Sequence, residues 1–188
     1  VLGVSHHTAP VDLRERVDFS RRGISQALAE LAKRPGTHEA VVLSTCNRAE
    51  VYVTCDDPSH ARRDLAAFMS HFHDVPPDLL ASHLFGLIDA DAVRHLFRVA
   101  AGLDSLVVGE PQILGQVKAA YTKAAGQRST GAVLNRLFPW SFAVGKRVRS
   151  ETGIGEGAVS VSYAAVALAR KIFGSLHNLS VLLIGAGE

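Results

Sequence analysis

Residues Glu39 to Cys55 constrain the fold of this chain more than any other stretch. Val41-Val42-Leu43 is an apolar, largely β-branched run suited to a buried strand, which we place at Glu39–Thr45. Ala49–Cys55 then alternates Val51, Val53 and Cys55 against Glu50, Tyr52 and Thr54, so it reads as a second strand with one apolar and one polar face. Two strands this close leave only a tight connection, and Cys46 lies in it. A thiol at a strand end can face a cleft while its backbone stays fixed. A thiolate is a strong nucleophile, and the fork of Arg48 two positions on is shaped to hold a carboxylate. Taken alone, Ser44-Thr45-Cys46-Asn47-Arg48 suggests covalent catalysis on an acidic substrate. The alternative is a small buried Cys at the end of a core strand. Cys55 shares a face with two valines and reads as structural.

Composition narrows the classes. A length of 188 residues allows one domain, or one and a fragment of another. With 47% hydrophobic and 20% charged residues the chain is a packed protein rather than a disordered one. A net charge of +2 does not by itself mark a nucleic-acid binder. No apolar run approaches the roughly 20 residues of a membrane span, and no signal peptide is visible. Two cysteines without metal-type spacing predict a reduced, cytoplasmic protein with no metal site. Because the sequence does not open on Met, we expect the natural N-terminus to lie upstream.

In chain order, Val1–Ser5 reads as a strand and His6–Pro10 as a polar loop. Val11–Val17 is a short helical turn. Ser20 is placed to cap a helix carrying Ile24, Ala27, Leu28 and Leu31, which Pro35-Gly36 ends. After the two central strands, a helix presents Leu65, Phe68, Met69 and Phe72 on one face, and Pro76-Pro77 closes it. Leu84–Ile88 reads as a fourth strand. The order β-α-β-β-α-β predicts an α/β (α+β) protein with a ferredoxin-like split unit.

A helical subdomain follows. Asp89 is placed to N-cap a helix with Val93, Leu96, Phe97 and Ala100 as its apolar stripe, and His95 lies off that stripe. Gly102–Gly109 is a break containing Asp104 and Ser105. Glu110-Pro111-Gln112 opens a helix buried through Ile113, Leu114, Val117 and Tyr121, with Gln112 and Gln116 projecting to one side. Ala132–Glu151 is a long helix kinked near Pro139, and its basic cluster Lys146, Arg147 and Arg149 reads as a solvated face or a contact for RNA phosphate. We divide the chain into residues 1–152, a linker at 153–157, and residues 158–188. The last part holds a helix at Ala158–Phe173 and a strand at Leu179–Ile184 running into Gly185-Ala186-Gly187-Glu188. A strand entering Gly-x-Gly matches the first turn of a Rossmann-like dinucleotide-binding unit.

Together these segments resemble one family. Gly3-Val4-Ser5-His6-His7-Thr8-Ala9-Pro10 with Arg14-Glu15 is similar to the N-terminal signature of the glutamyl-tRNA reductases. Ser44-Thr45-Cys46-Asn47-Arg48 with Glu50 and Tyr52 resembles their catalytic motif. His95-Leu96-Phe97, Gly102-Leu103-Asp104-Ser105 and Gly109-Glu110-Pro111-Gln112-Ile113-Leu114-Gly115-Gln116 resemble a third block. The matches occur in order along the whole chain.

The resemblance implies reduction of glutamyl-tRNA(Glu) by NADPH to glutamate-1-semialdehyde, the first step of five-carbon tetrapyrrole (porphyrin, heme) synthesis. Cys46 would be the nucleophile that forms a thioester, and His95 would support proton transfer. Thr45, Asn47, Arg48, Ser105, Glu110, Pro111, Gln112 and Gln116 match substrate-binding positions, with Glu110 suited to the α-ammonium. Gly185, Ala186, Gly187 and Glu188 would bind NADPH. The resemblance also implies a homodimer formed through a further domain, and handover of product to a glutamate-1-semialdehyde aminomutase. Two other readings stay open at this stage: a thioester-forming aldehyde dehydrogenase with a different acyl substrate, and a non-enzymatic RNA-binding module.

Overall fold

A computed structural model describes residues 1–155, 161–177 and 179–182. The chain divides into two compact units, Val1–Ala158 and Val159–Glu188. The first contains β1 (Leu2–Ser5), α1 (Val11–Arg16), α2 (Phe19–Arg22), α3 (Ile24–Leu31), β2 (Thr37–Thr45), β3 (Arg48–Cys55), α4 (Pro58–His73), α5 (Pro77–Ala81), β4 (Phe85–Gly86), α6 (Asp89–Ala100), α7 (Gln112–Gly126) and α8 (Leu134–Glu151). In the second, α9 spans Val161–Phe173.

The four strands form one antiparallel sheet in the order β2-β3-β1-β4. β3 thus lies between β1 and β2, which splits the first β-α-β unit. Register decides what each face carries. Leu2 lies opposite Val51 and Val4 opposite Ala49, while Val51 also meets Val42, and these residues share one face. Ser44 belongs to that face and accepts from the Phe19 backbone N–H at 3.0 Å, so the segment that opens α2 packs there. Phe19, Phe68 and Phe72 fill the layer beyond it, with ring centroids 5.3–6.2 Å apart.

The opposite face of β3 carries Arg48, Glu50 and Tyr52, and it is buried as well. The alternation in the sequence predicts a polar face on this side of β3, and the polar face of an antiparallel sheet is ordinarily left to solvent. Instead α6 covers it through His95 and α8 through Phe138, whose ring meets Tyr52 edge-on at 5.7 Å. A strand enclosed on both sides can carry polar residues at period two only if they satisfy one another. Gly3 lies opposite Glu50, and a Cβ there would stand 2.4 Å from the Ala49 carbonyl oxygen and 2.9 Å from Glu50 Cγ.

Several expected boundaries move for local reasons. Asp18, not Ser20, caps the second helix, and its carboxylate accepts from the Ser20 N–H at 2.9 Å. Gly23 then breaks that helix in two at φ 100°, a conformation that favours glycine. β4 itself spans only two residues, although the pairing runs one step further, where Val1 and Leu87 exchange backbone hydrogen bonds at 2.9 and 3.0 Å and the chain of β1 begins. Asp89 does not cap α6: Ile88 holds that position without a side-chain bond, and Asp89 turns the chain at φ 47°.

α8 runs through Pro139 and begins at Leu134 rather than Ala132. Its start is set by Glu39 of β2, whose carboxylate accepts from the N–H groups of Gly131, Val133 and Leu134 at 2.7–3.0 Å. Farther along, Gly145 lets α8 approach α6, since a Cβ there would lie 2.6 Å from the Ala100 carbonyl oxygen. The free edge of β2 is covered by Ser129, whose carbonyl accepts from the Ala40 N–H at 2.7 Å.

The strand expected at Leu179–Ile184 is not formed over Leu179–Leu182, where no described strand pairs with the segment. Leu183, Ile184 and the Gly185-Ala186-Gly187-Glu188 turn lie outside the described residues, as does Ala158, the expected start of α9. Among the described residues no helix is long and apolar enough to cross a membrane.

Candidate active site

Thr45 pairs with Arg48, so Cys46 and Asn47 form the two-residue loop of the β2–β3 hairpin. Cys46 is exposed. Its backbone is not free: the Arg14 Nε–H donates to the Cys46 carbonyl at 3.3 Å, and the His6 N–H donates to the Asn47 carbonyl at 2.8 Å. Arg14 is itself held by the Ala9 carbonyl at 2.6 Å, and the Asn47 N–H donates to Thr45 Oγ1 at 3.2 Å. The thiol therefore stands on a pinned loop at the rim of the sheet. Cys55 ends β3, partly buried, and burial and the carboxylates of Asp56 and Asp57 push its thiol pKa up.

Directly behind the loop lies a buried polar chain. Arg48 is 1% exposed. One terminal nitrogen donates to Glu50 Oε1 at 2.7 Å, and the other donates to the carbonyl and, at 3.0 Å, to Oδ2 of Asp104. Glu50 Oε1 also meets His95 Nε2 at 3.0 Å, and its Oε2 accepts from the Tyr52 hydroxyl at 2.6 Å. Asp104 Oδ1 lies 3.5 Å from His7 Nε2. Four segments of chain, the loop after β1, β3, α6 and the Gly102–Gly109 loop, are thus joined through two carboxylates and one guanidinium.

The electrostatics follow from the enclosure. Burial opposes the charge on Glu50, but Arg48 and the hydrogen bonds from His95 and Tyr52 prevail and bring its pKa down to about 2. Burial also opposes the charge on Arg48, yet Glu50 and Asp104 raise its pKa above the ordinary value. Burial beside the Glu50 carboxylate pushes Tyr52 well above its usual range, so it remains a donor. An ionised Glu50 can only accept, and His95 accordingly carries a hydrogen on Nε2.

The break expected at Gly102–Gly109 is a closed loop. The Gly109 N–H donates to the Gly102 carbonyl at 2.9 Å, and a Cβ on Gly102 would come within 3.2 Å of Gly109 Cα. Both glycines have positive φ, 77° and 84°. Arg149, in the last turn of α8, donates to the carbonyls of Gly109 and Glu110 at 3.3 Å. Ser105 is buried beside Asp104, while Glu110, Pro111, Gln112 and Gln116 lead outward along the loop and the first turns of α7.

The structure brings Cys46, Asn47, Thr45 and Arg48 together on one hairpin and joins Arg48 to the Asp104-Ser105 loop. His95 belongs to the same assembly through Glu50, and its hydrogen bond goes there rather than to Cys46. Arg48 is enclosed by protein acceptors, so in this arrangement it meets no carboxylate arriving from solvent. Glu50, Tyr52 and Asp104 stand inside the motifs quoted for the family but carried no expected site role, and neither did Arg14 and His6 as anchors of the loop. A signal for the first two was present, since Arg48, Glu50 and Tyr52 are spaced at period two and must share a face. Among the described residues no group of three or more His, Cys, Asp or Glu could hold a metal ion. Two grooves elsewhere, one lined by Arg16, Arg63 and His71 and the other by Cys55, Arg62 and Leu137, do not include Cys46.

A family model described as "Glutamyl-tRNAGlu reductase, N-terminal domain" matches residues 2–152. A glutamyl-tRNA reductase of Trichlorobacter lovleyi is 52% identical over all 188 residues, which cover 43% of that protein. A second, from Syntrophotalea carbinolica, is also 52% identical, with 42% of its length covered. Among solved structures, glutamyl-tRNA reductase from Methanopyrus kandleri aligns over the whole chain with a TM-score of 0.68 at 38% identity, and 43% of that chain is covered. The chain therefore spans less than half the length of the relatives it matches.

Proposed function

The chain belongs to the glutamyl-tRNA reductase family, and from that premise we propose that Cys46 takes the glutamyl group from glutamyl-tRNA(Glu) as a thioester. The observation that carries this reading is an exposed thiol on a two-residue loop whose two carbonyls are both tied by donors from the β1 side. Sγ attacks the ester carbonyl, the bond from that carbon to the tRNA oxygen breaks, and the tRNA hydroxyl leaves with the proton. A thioester carbonyl is less resonance-stabilised than an ester and accepts hydride more readily. NADPH, when bound, supplies that hydride, and release of the product as glutamate-1-semialdehyde restores the thiol. Gly185, Ala186, Gly187 and Glu188 are its proposed binding turn.

In this reading Arg48 is a positioning residue. It fixes Asp104, and with it the loop that presents Ser105 and Glu110. Glu110 suits the α-ammonium of the substrate, and Thr45, Asn47, Pro111, Gln112 and Gln116 complete the substrate surface. His95 is held by Glu50 through Nε2, which leaves Nδ1 for proton transfer. Residues 1–152 form the catalytic part, joined by 153–157 to the start of the nucleotide-binding part at 158–188. The family resemblance supports a cytoplasmic homodimer that passes its product to an aminomutase.

The test is mass spectrometry of the chain after incubation with charged tRNA(Glu), without NADPH. A glutamyl adduct on the peptide containing Cys46 is the expected result. The adduct should vanish in Cys46→Ser and persist in Cys55→Ser, and alkylation should label Cys46 before Cys55. An adduct on Cys55, or charged tRNA deacylated equally by the parent and Cys46→Ser, would remove the covalent reading.

A further inference from the structure

Charge is segregated along this chain. Between Gln112 and Ser150 lie seven of its 20 Lys and Arg and none of its 18 Asp and Glu. The rest, with 13 against 18, is net acidic, so the helical hairpin α7–α8 is a basic body on an acidic one. Two of the seven are used internally. Arg147 pairs with Glu151, and Arg149 holds the Gly109 and Glu110 carbonyls. Lys118, Lys123, Arg128, Arg136 and Lys146 form no ion pair among the described residues.

The helical period arranges them. Arg136 and Trp140 are four residues apart, and with Ala143 and Arg147 they make one exposed stripe on α8. Trp140 is 55% exposed, unusual for the chain's one tryptophan, and the Arg136 guanidinium lies over its ring at 4.7 Å. Beside the stripe, Lys146 is exposed, and Lys118 of α7 stands 5.9 Å over the Phe142 ring at the seam between the helices. From Arg136 to Lys146 the ridge is about 15 Å long. The C-terminal end of α8 is fastened by Arg149, which projects from the side of the helix away from the stripe, to the loop that carries Glu110, so the ridge and the candidate active site share one helix.

We propose that this ridge, Arg136, Trp140 and Lys146 with Lys118, holds the RNA of the charged tRNA as it leads away from Cys46. The proposal rests on the reading above in which glutamyl-tRNA is the substrate. Unpaired cations placed along a helix match a phosphate backbone. An exposed indole already stacked on a guanidinium offers a platform for a base, a role that a merely solvated basic face does not need.

The experiment uses the full chain, a labelled uncharged tRNA(Glu) transcript, and a small activated α-ester of glutamate that acylates Cys46 without RNA. Arg136→Glu/Lys146→Glu should weaken tRNA binding about tenfold or more and lower the slope of log affinity against log salt by about two. Trp140→Ala should weaken binding about fivefold or more and leave that slope unchanged. Acylation by the small ester should be the same in all forms. The neutral pair Arg136→Gln/Lys146→Gln, which keeps good helix formers, guards against misfolding and should lose about half as much affinity in logarithmic terms. Parental tRNA affinity in both the neutral pair and Trp140→Ala would overturn the proposal. So would tighter binding of the parent to anionic phospholipid vesicles than to tRNA. Failure of Cys46 to accept glutamate from ester or tRNA, with tRNA still held by the ridge, would instead overturn the thioester reading alone.

Discussion

Arg48 brings a positive charge into a site almost closed to solvent, and two carboxylates make that tolerable. Removing one partner of such a pair leaves the other charge buried and unpaired, which costs about 3–5 kcal/mol. We therefore expect Arg48→Met to lower stability by about that much in urea unfolding, and the added change Glu50→Gln to recover part of it. Arg48→Lys should also destabilise, because one ammonium cannot span Glu50 and Asp104 as the fork does. Unchanged stability in Arg48→Met would return the residue to the substrate-binding role that its motif alone implies. Cys46 could be singled out from sequence, because a thiol between two strands and beside an Arg differs from Cys55 on an alternating face. The enclosure of Arg48 could not, since it depends on Asp104, 56 residues away.

At the scale of elements, β2 and α8 are tied by a single side chain. Glu39 satisfies three of the N–H groups that the start of α8 leaves without helical partners. Glu39→Ala should cost about 1–3 kcal/mol, and hydrogen exchange should rise first at residues 131–134. Glu39→Gln, which keeps an acceptor but loses the charge, should cost less. Equal protection of these amides in Glu39→Ala and the parent would mean that packing alone sets the start of the helix. Periodicity in the sequence located α4, α6, α7 and α8 to within a few residues. Caps were less legible: Asp18 and Ser20 are both good cap residues, and only the path of the chain into Phe19 selects Asp18.

For the whole molecule, the largest pH dependence between pH 4 and 7 should come from His73. It is buried between Phe19 and Phe72, with ring centroids at 4.4 and 5.0 Å, and neither ring nitrogen has a hydrogen-bond partner. Burial and the nearby Arg22 lower its pKa from 6.5 to about 4, while Asp18 acts weakly in the opposite direction. Between these values the unfolded chain binds a proton that the folded chain refuses, so stability falls as pH drops below 6.5 and levels off below about 4. The expected loss from pH 7.5 to pH 5 is about 2 kcal/mol, read from urea midpoints. His73→Phe should flatten that stretch of the profile. Glu50 contributes at lower pH: its stabilisation is complete above 4.5 and is lost as pH falls toward about 2. A parental slope retained in His73→Phe would assign the effect to other groups.

The family, the order of the four strands in the first unit and the choice of Cys46 as candidate nucleophile were legible from the residues alone. These follow from local chemistry: hydrophobic period, turn residues, and motifs read over a few positions. The burial of both faces of β3, the enclosure of Arg48 by Glu50 and Asp104, and the bond of His95 to Glu50 rather than to the thiol arise from packing between segments far apart in the chain. Burial of a polar residue is a property of what packs over it, and the helices that cover the polar face of β3, α6 and α8, begin more than thirty residues farther along the chain. The same holds for the basic ridge. Its charges are plain in the sequence, but which of them remain unpaired depends on where α8 meets the loop at Gly109 and Glu110.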